Sequence, residues 1–257
     1  MCGRYLVTSP PEAMRRLFGT QGVLPNFPPR YNVAPTQDVP VVFVEHERRV
    51  LALMRWGLVP AGSESDAQSK PRPGRPPLIN ARSETVGGAG PFRNAYRARR
   101  CLVPADGYYE WDKTSTTPHL FRRRSGFPPA PAGGGGEGAL FAFAGLWEEW
   151  QDPKRPDIAP LRSCTVLTTR PSELVAPLHD RMPVILPPES WAVWLGEAKA
   201  DHAELQAVLA SASATGFTDT TVSKHVNAHG NDDPACIEPA SDVVPIPPSP
   251  RDSGRLL

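Results

Sequence analysis

Residues Cys101-Leu102-Val103-Pro104-Ala105-Asp106-Gly107-Tyr108-Tyr109-Glu110-Trp111 decide the fold class. The apolar start reads as a strand, Ala105-Asp106-Gly107 has turn chemistry, and the aromatic-rich run after it reads as a returning strand. Working outward, short β-rich runs recur at Gly3 to Thr8, Val39 to Glu45, Arg49 to Trp56, His119 to Arg123, Leu140 to Trp147, Ser163 to Thr168 and Met182 to Leu186. Helical signals are fewer. Ser9-Pro10-Pro11-Glu12 reads as a capping box with proline in the first turn, opening a helix to about Phe18. Pro187-Pro188-Glu189-Ser190 opens another to Leu195, and Asp201 to Ala210 carries apolar residues at helical spacing. Many strands with few, segregated helices predict an α+β fold: an antiparallel, barrel-like sheet core with short peripheral helices.

The chain has 257 residues, enough for a sizeable core, and residues 1–239 read as one domain. Its 32 prolines and 21 glycines are unevenly spread. Residues 61–77 and 125–139 are low-complexity inserts, and 240–257 a tail, with too few apolar residues to order themselves. With 28 basic and 27 acidic residues the net charge is +1, so no global field draws the chain onto nucleic acid and any polyanion site is local. Cys2, Cys101, Cys164 and Cys236 are scattered, without a C-x-x-C pair, which suggests a reducing compartment. No signal-peptide pattern or long apolar stretch is present, so the reading is cytoplasmic, nucleoid-associated or, in a eukaryote, nuclear, with no membrane partner. A monomer is the expectation.

Five clusters could carry chemistry. Cys2 follows Met1 directly, so excision of Met1 would place an α-amine and a thiol on one residue. Such a 1,2-aminothiol condenses with an aldehyde as an imine and closes through sulfur to a thiazolidine. With an amine pKa near ~8 and a thiol pKa near ~8.5, both nucleophiles need only modest activation. Asn80 and Arg82 would share one side if their segment is extended, an amide beside a guanidinium suiting a sugar or phosphate, although an Asx-type helix cap fits the same residues. Glu110 lies between two aromatics, and an apolar wall would raise its pKa towards neutrality. A strand-face glutamate paired with a surface arginine is the alternative. His179 beside Arg181 offers a second acid and a phosphate ligand, or a histidine satisfying local backbone. Arg93, Arg97, Arg99 and Arg100, interleaved with Phe92 and Tyr96, suit single-stranded nucleic acid or form a solvated helix face. Cys2, Cys101, Cys164 and His179 lack metal-ligand spacing, and no metal or cofactor is expected.

Taken in order, these blocks resemble the SRAP (SOS response-associated peptidase) family, the abasic-site processing proteins. The likeness rests on Met1-Cys2-Gly3-Arg4, Tyr31 to Thr36, Arg55-Trp56-Gly57-Leu58-Val59-Pro60, Asn80 to Thr85, Arg100 to Trp111, Phe143 to Trp147, Thr165 to Thr169, His179 to Leu186 and Asn231 to Pro234, and covers the chain to about Pro239. The resemblance implies self-processing that removes Met1, followed by a thiazolidine crosslink of Cys2 to an abasic site in single-stranded DNA. It implies that Asn80 orients Cys2 and the sugar, that Glu110 relays protons and that His179 promotes ring opening. It further implies DNA contacts at Arg4, Trp56, Arg82, Trp111 and Arg181.

Two departures predict weaker strand binding. Ala61-Gly62 stands where relatives commonly carry a tryptophan, and Gly230 where they are often basic. One lost stacking platform costs on the order of 1–3 kcal/mol. Two rival readings are an N-terminal cysteine nucleophile amidase, with Asn80 helping to bind an oxyanion, and a non-covalent single-strand binding module in which Cys2 is incidental.

Overall fold

The computed structural model describes residues 2–64, 77–124, 140–212 and 214–240. The first half contributes β1 (Tyr5–Val7), α1 (Pro11–Phe18), β2 (Arg30–Val33), β3 (Asp38–Glu45), β4 (Arg48–Trp56), β5 (Asn80–Arg82), α2 (Arg93–Ala98), β6 (Arg100–Ala105), β7 (Gly107–Trp111) and β8 (Pro118–Arg123). β9 (Phe141–Trp150), β10 (Leu161–Thr169), β11 (Met182–Pro183), α3 (Trp191–Leu195), α4 (His202–Ala210) and β12 (Phe217–Thr221) complete the set.

Five strands close into a barrel. β4, β3, β6 and β9 pair antiparallel in that order, β9 pairs β10, and β10 returns to β4 in parallel through Ser163↔Arg55 and Cys164↔Trp56. Closure removes the sheet edges that an open sheet would expose. A second, five-stranded sheet runs β12-β8-β7-β1-β2. The expected α+β class with a barrel-like antiparallel core is what the molecule adopts.

The run from Cys101 to Trp111 links the two sheets. It supplies β6 to the barrel and β7 to the second sheet, with Asp106 at the corner between them. Gly107 starts the second strand because a Cβ there would stand 2.7 Å from Leu6 Cδ2 and 3.0 Å from the Phe121 carbonyl oxygen. Backbone alternation then separates the β7 side chains. Tyr108 faces the main core, stacked on Phe121 and edge-on to Phe143, whereas Tyr109 joins a smaller cluster with Leu6, Leu120, Val222 and Val226.

Asp106 does more than turn the chain. Its buried carboxylate accepts from the Thr8 N–H at 2.6 Å, the Ser9 N–H at 2.7 Å and the Ser9 hydroxyl at 2.6 Å. The predicted capping box at Ser9 is thereby corrected. Pro10 is the N-cap of α1, makes no side-chain cap bond, and leaves helix entry to be fixed by Asp106 from across the fold. Removing a charged acceptor of several hydrogen bonds should cost about 3 kcal/mol. Asp106→Ala is therefore expected to lower the urea midpoint by that equivalent, and an unshifted midpoint would show that α1 docks without this contact.

The other helices follow their sequence signals. A 3-10 turn at Pro188–Ser190 runs into α3, and α4 opens on a reciprocal capping box between Asp201 and Glu204. The basic run belongs to α2 and the start of β6. Arg99 pairs with Glu148, Arg100 donates to the carbonyls of Trp194 and Tyr96, and Arg93 and Arg97 are exposed. Of the segments expected to be disordered, residues 65–76, 125–139 and 241–257 lie outside the described residues. The described start of the first insert is held by Trp150, whose indole N–H donates to the Ser63 carbonyl at 2.8 Å. Among the described residues no helix is long and apolar enough to cross a membrane.

Candidate active site around Cys2

Strand β10 gathers the site. One of its edges pairs with β4 and then, from Val166 to Thr168, with β5 in parallel, while the other pairs with β9 and then with β11. Val166↔Asn80 and Thr168↔Arg82 set Asn80 and Arg82 two residues apart on one strand, so their side chains leave the same face. Thr168↔Pro183 brings the segment carrying His179 and Arg181 to the opposite edge. The second sheet supplies the rest. Tyr5↔Tyr108 and Leu6↔Gly107 pair β1 with β7, and continuing that antiparallel register sets the Cys2-Gly3 step alongside Glu110.

Cys2 is buried, 1% exposed. Its thiol points at the Arg4 carbonyl oxygen, 3.9 Å away. Asn80 Nδ2–H donates to the Cys2 carbonyl oxygen at 2.8 Å, which fixes this residue's backbone. The other end of that amide, Oδ1, is buried and unpartnered. Burial, and then the negative charge of Glu110, push the Cys2 thiol pKa far up, so sulfur is protonated at neutral pH and needs a base before it can attack.

Glu110 can serve as that base. Burial raises its carboxyl to about 7, Asp180 adds to the rise and Lys113 opposes it. Its Oε1 is buried without a hydrogen-bond partner. The apolar surroundings are not those expected from its neighbours in sequence. Tyr109 and Trp111 project to the opposite face of β7, whereas Glu110 shares the inward face with Tyr108, between the two sheets.

His179 Nδ1 accepts from the Arg181 backbone N–H at 3.0 Å, and Asp180 Oδ1 lies at the same distance from the same nitrogen. Both cannot be satisfied. Burial lowers the His179 pKa below the usual histidine value, so the neutral ring keeps Nδ1 as acceptor and carries its proton on Nε2.

The expected DNA contacts divide into two groups. Arg82 is exposed and Trp111 half-buried, so both reach the surface. Arg181 is 13% exposed and holds Glu84 through two hydrogen bonds of 2.8 Å. Trp56 is wholly buried, edge-on to Tyr5 with its indole N–H on the Ile79 carbonyl oxygen, and no base can stack on it here. Arg4 is also internal. Nη1 donates to Asn32 Oδ1 at 2.6 Å and to the Val226 carbonyl oxygen at 3.0 Å, and the guanidinium lies 5.7 Å from the centre of the Trp111 ring. Both side chains are buried in this structure.

Two further residues matter that sequence reading passed over. Lys113 is exposed at the end of β7, and its positive charge lowers the pKa of both Glu110 and His179, which places an ammonium at the rim. Asn32, on β2, is fully buried and ties its strand and Arg4 to the chain's later loop. It accepts from Arg4 and donates to the carbonyls of Val226, Ala228 and Asn231, while Asp232 accepts from the N–H groups of Tyr31 and Asn32 and pairs with Arg30. The role of Asn32 cannot be seen locally, since its partners in the later loop lie roughly two hundred residues away.

His225, Asp233 and Cys236 come within 4.8 Å of one another, the grouping among the described residues that most resembles a metal-ligand set. Asn231 Nδ2–H donates to His225 Nδ1, so the ring proton sits on Nε2 and bonds Asp233, where a metal would have to bind. The donor set suits a hydrogen-bonded pair better than an ion.

Comparison with known proteins agrees with this architecture. The family model described as SOS response associated peptidase (SRAP) matches residues 1–229. Abasic site processing protein YoqW of Bacillus subtilis is 34% identical over 243 residues, spanning 93% of this chain and 99% of that one. Abasic site processing protein HMCES of Gallus gallus is 31% identical and spans 84% of this chain and 68% of its own length. A protein of Bordetella bronchiseptica superposes with a TM-score of 0.68 at 26% identity, covering 86% of this chain and all of that one. One of Bacteroides thetaiotaomicron gives 0.74 at 19% identity, which shows a shared fold alone.

Proposed function

The chain belongs to the SOS response associated peptidase (SRAP) family, and from that premise we propose that it processes abasic sites in single-stranded DNA by crosslinking them to Cys2. The observation that carries the reading is the coupling of a fixed Cys2 to a carboxyl poised to move protons. Asn80 holds the Cys2 carbonyl at 2.8 Å, and burial brings Glu110, the neighbour whose charge acts on the thiol, to a pKa of about 7.

Autoproteolytic hydrolysis of the Met1–Cys2 peptide bond consumes one water and frees the α-amine. The abasic sugar opens to its aldehyde with His179 supplying or accepting the proton. The amine adds to C1′ and water leaves, giving a Schiff base. The thiol adds to that carbon, its proton passes through Glu110 to nitrogen, and a thiazolidine closes. The product shields the lesion from strand cleavage. Asn80 orients Cys2, and its unpartnered Oδ1 is available to the freed amine or a sugar hydroxyl. Arg82 and Arg181 hold the flanking phosphates, and Trp111 offers an aromatic face.

Incubating the protein with an abasic oligonucleotide, followed by denaturing electrophoresis and peptide mass mapping, tests the reading. A band surviving denaturant, mapped to Cys2 of a chain lacking Met1, is expected. Amide hydrolysis with no DNA requirement would replace this reading with the amidase one, and purely reversible association would replace it with the binding module. Phosphate contact has its own signature. Arg82→Ala should weaken binding to single strands several-fold and flatten the slope of log K against log salt by about 0.7, one contact's worth of released counterion. An unchanged slope would remove Arg82 from the strand path.

A further inference from the structure

Arg181 offers five N–H hydrogens in a fixed fork. Nη1 and Nη2 each give one to Glu84, to Oε1 and Oε2 respectively, both at 2.8 Å. Nη2 gives its second to the Thr168 carbonyl oxygen, and Nε is buried without a partner. The edge shared by Nε and Nη2 is thus closed by protein. The remaining two-hydrogen edge, Nη1 with Nη2, is the one that could grip a phosphate in the two-point manner arginine favours, and a carboxylate fills it.

A carboxylate and a phosphodiester present the same pattern to that edge: two oxygens sharing one negative charge. The two partners are unequally placed. The Glu84 side chain is 40% exposed and that of Arg181 13%, so Glu84 is the outer and displaceable member. Arg181 also holds the Glu84 carboxyl below the usual carboxylate range, so at neutral pH it leaves by exchange with another anion and not by protonation.

The geometry points to Glu84 as a resident stand-in for a strand phosphate, displaced from Arg181 when DNA binds, so that this carboxylate sets how weakly undamaged single strands are held. The inference rests on the strand-binding reading above. Its physical consequence is a lower basal affinity, since a phosphate must compete for its place and approaches an extra negative charge.

The test uses the full chain with an undamaged, fluorescently labelled oligo(dT), followed by anisotropy across a salt series. Glu84→Gln is expected to bind about 3- to 10-fold tighter at low salt, with the slope steeper by about 0.7. Glu12→Gln on α1, which removes the same charge elsewhere, should change affinity by less than about twofold. Equal tightening by both variants would reduce the effect to net charge and overturn the inference. Weaker or unchanged binding by Glu84→Gln, with Arg82→Ala still weakening it, would make Glu84 a support that orients Arg181. If wild type fails to bind, the strand-binding reading itself falls, whereas tightening by Glu84→Gln alone with Arg82→Ala inert would support the Glu84 inference and remove only Arg82 from the strand path. Thermal midpoints of all variants, kept within a few degrees of wild type, ensure that folded protein is compared.

Discussion

A Cys2→Ala protein should yield no denaturant-resistant adduct with an abasic single strand, while its reversible binding to the same strand stays near wild type. In the proposed mechanism the thiol is what makes capture durable. Alanine at position 2 still leaves an α-amine once Met1 is gone, and that amine can condense with the aldehyde, but a Schiff base hydrolyses readily. Borohydride added during the reaction should therefore trap the imine formed by the Cys2→Ala protein, whereas wild type needs no reductant. The structure gives a reason to expect a full loss. Cys101 and Cys164 are buried on barrel strands and Cys236 is buried in the second cluster, and none carries its thiol on the residue whose amine forms the imine, so none can close the same five-membered ring. Cys2→Ser separates nucleophile from shape, since a hydroxyl keeps the side chain's position while losing nearly all of its reactivity. Adducts of Cys2→Ala that survive denaturant without a reductant would take Cys2 out of the chemistry.

Much of this arrangement is legible along the chain, and the parts that are not share a physical cause. The strand, turn and strand of Cys101 to Trp111 follow from local composition, as do α3, α4 and most of the longer strands. β2, β5 and β12 carry no strand signal in the sequence: Arg30–Val33 and Asn80–Arg82 are four and three residues long, and Phe217–Thr221 holds a single apolar residue, so no alternation shows. Asn80 and Arg82 could be aligned only by assuming an extended segment, and what makes it extended is β10, more than eighty residues later. The sequence suggests that Tyr109 and Trp111 wall in Glu110, yet side chains adjacent on a strand point away from it, and the burial comes from the second sheet meeting the barrel. Trp56 and Arg4 match the family motif but are spent on the Ile79 carbonyl, Asn32 and Val226. A motif shows which residues occur together and leaves open which touch the substrate and which hold those that do. Asp106 illustrates the same limit: its turn is local, while its bonds to Thr8 and Ser9 span almost a hundred residues.

Glu110→Gln should separate the proton-relay role from everything else, because two measurements move in opposite directions. In the crosslinking rate, the ionised carboxylate is the form able to accept the thiol or amine proton. With its pKa at about 7, the wild-type rate should rise with pH through that value. Glutamine removes that limb and lowers the plateau on the order of 100-fold, a typical contribution of a positioned acid–base group. Strand affinity should be nearly unchanged, since Glu110 is buried and meets no phosphate. Stability runs the other way. The folded carboxyl titrates near 7 against an ordinary 4.5, so the folded state holds the proton more tightly than the unfolded one. Below pH 4.5 the glutamate carries no charge penalty; between 4.5 and 7 wild type loses stability as pH rises, and above 7 the penalty is constant, on the order of 3 kcal/mol. Relative to wild type, Glu110→Gln should therefore gain stability between pH 5 and pH 8 in denaturant melts, while losing most of its crosslinking rate. A buried charge kept at a stability cost is what a proton carrier requires. If the variant instead loses stability at pH 8, or crosslinks with an unaltered pH limb, Glu110 is a structural residue and the proton must travel through His179.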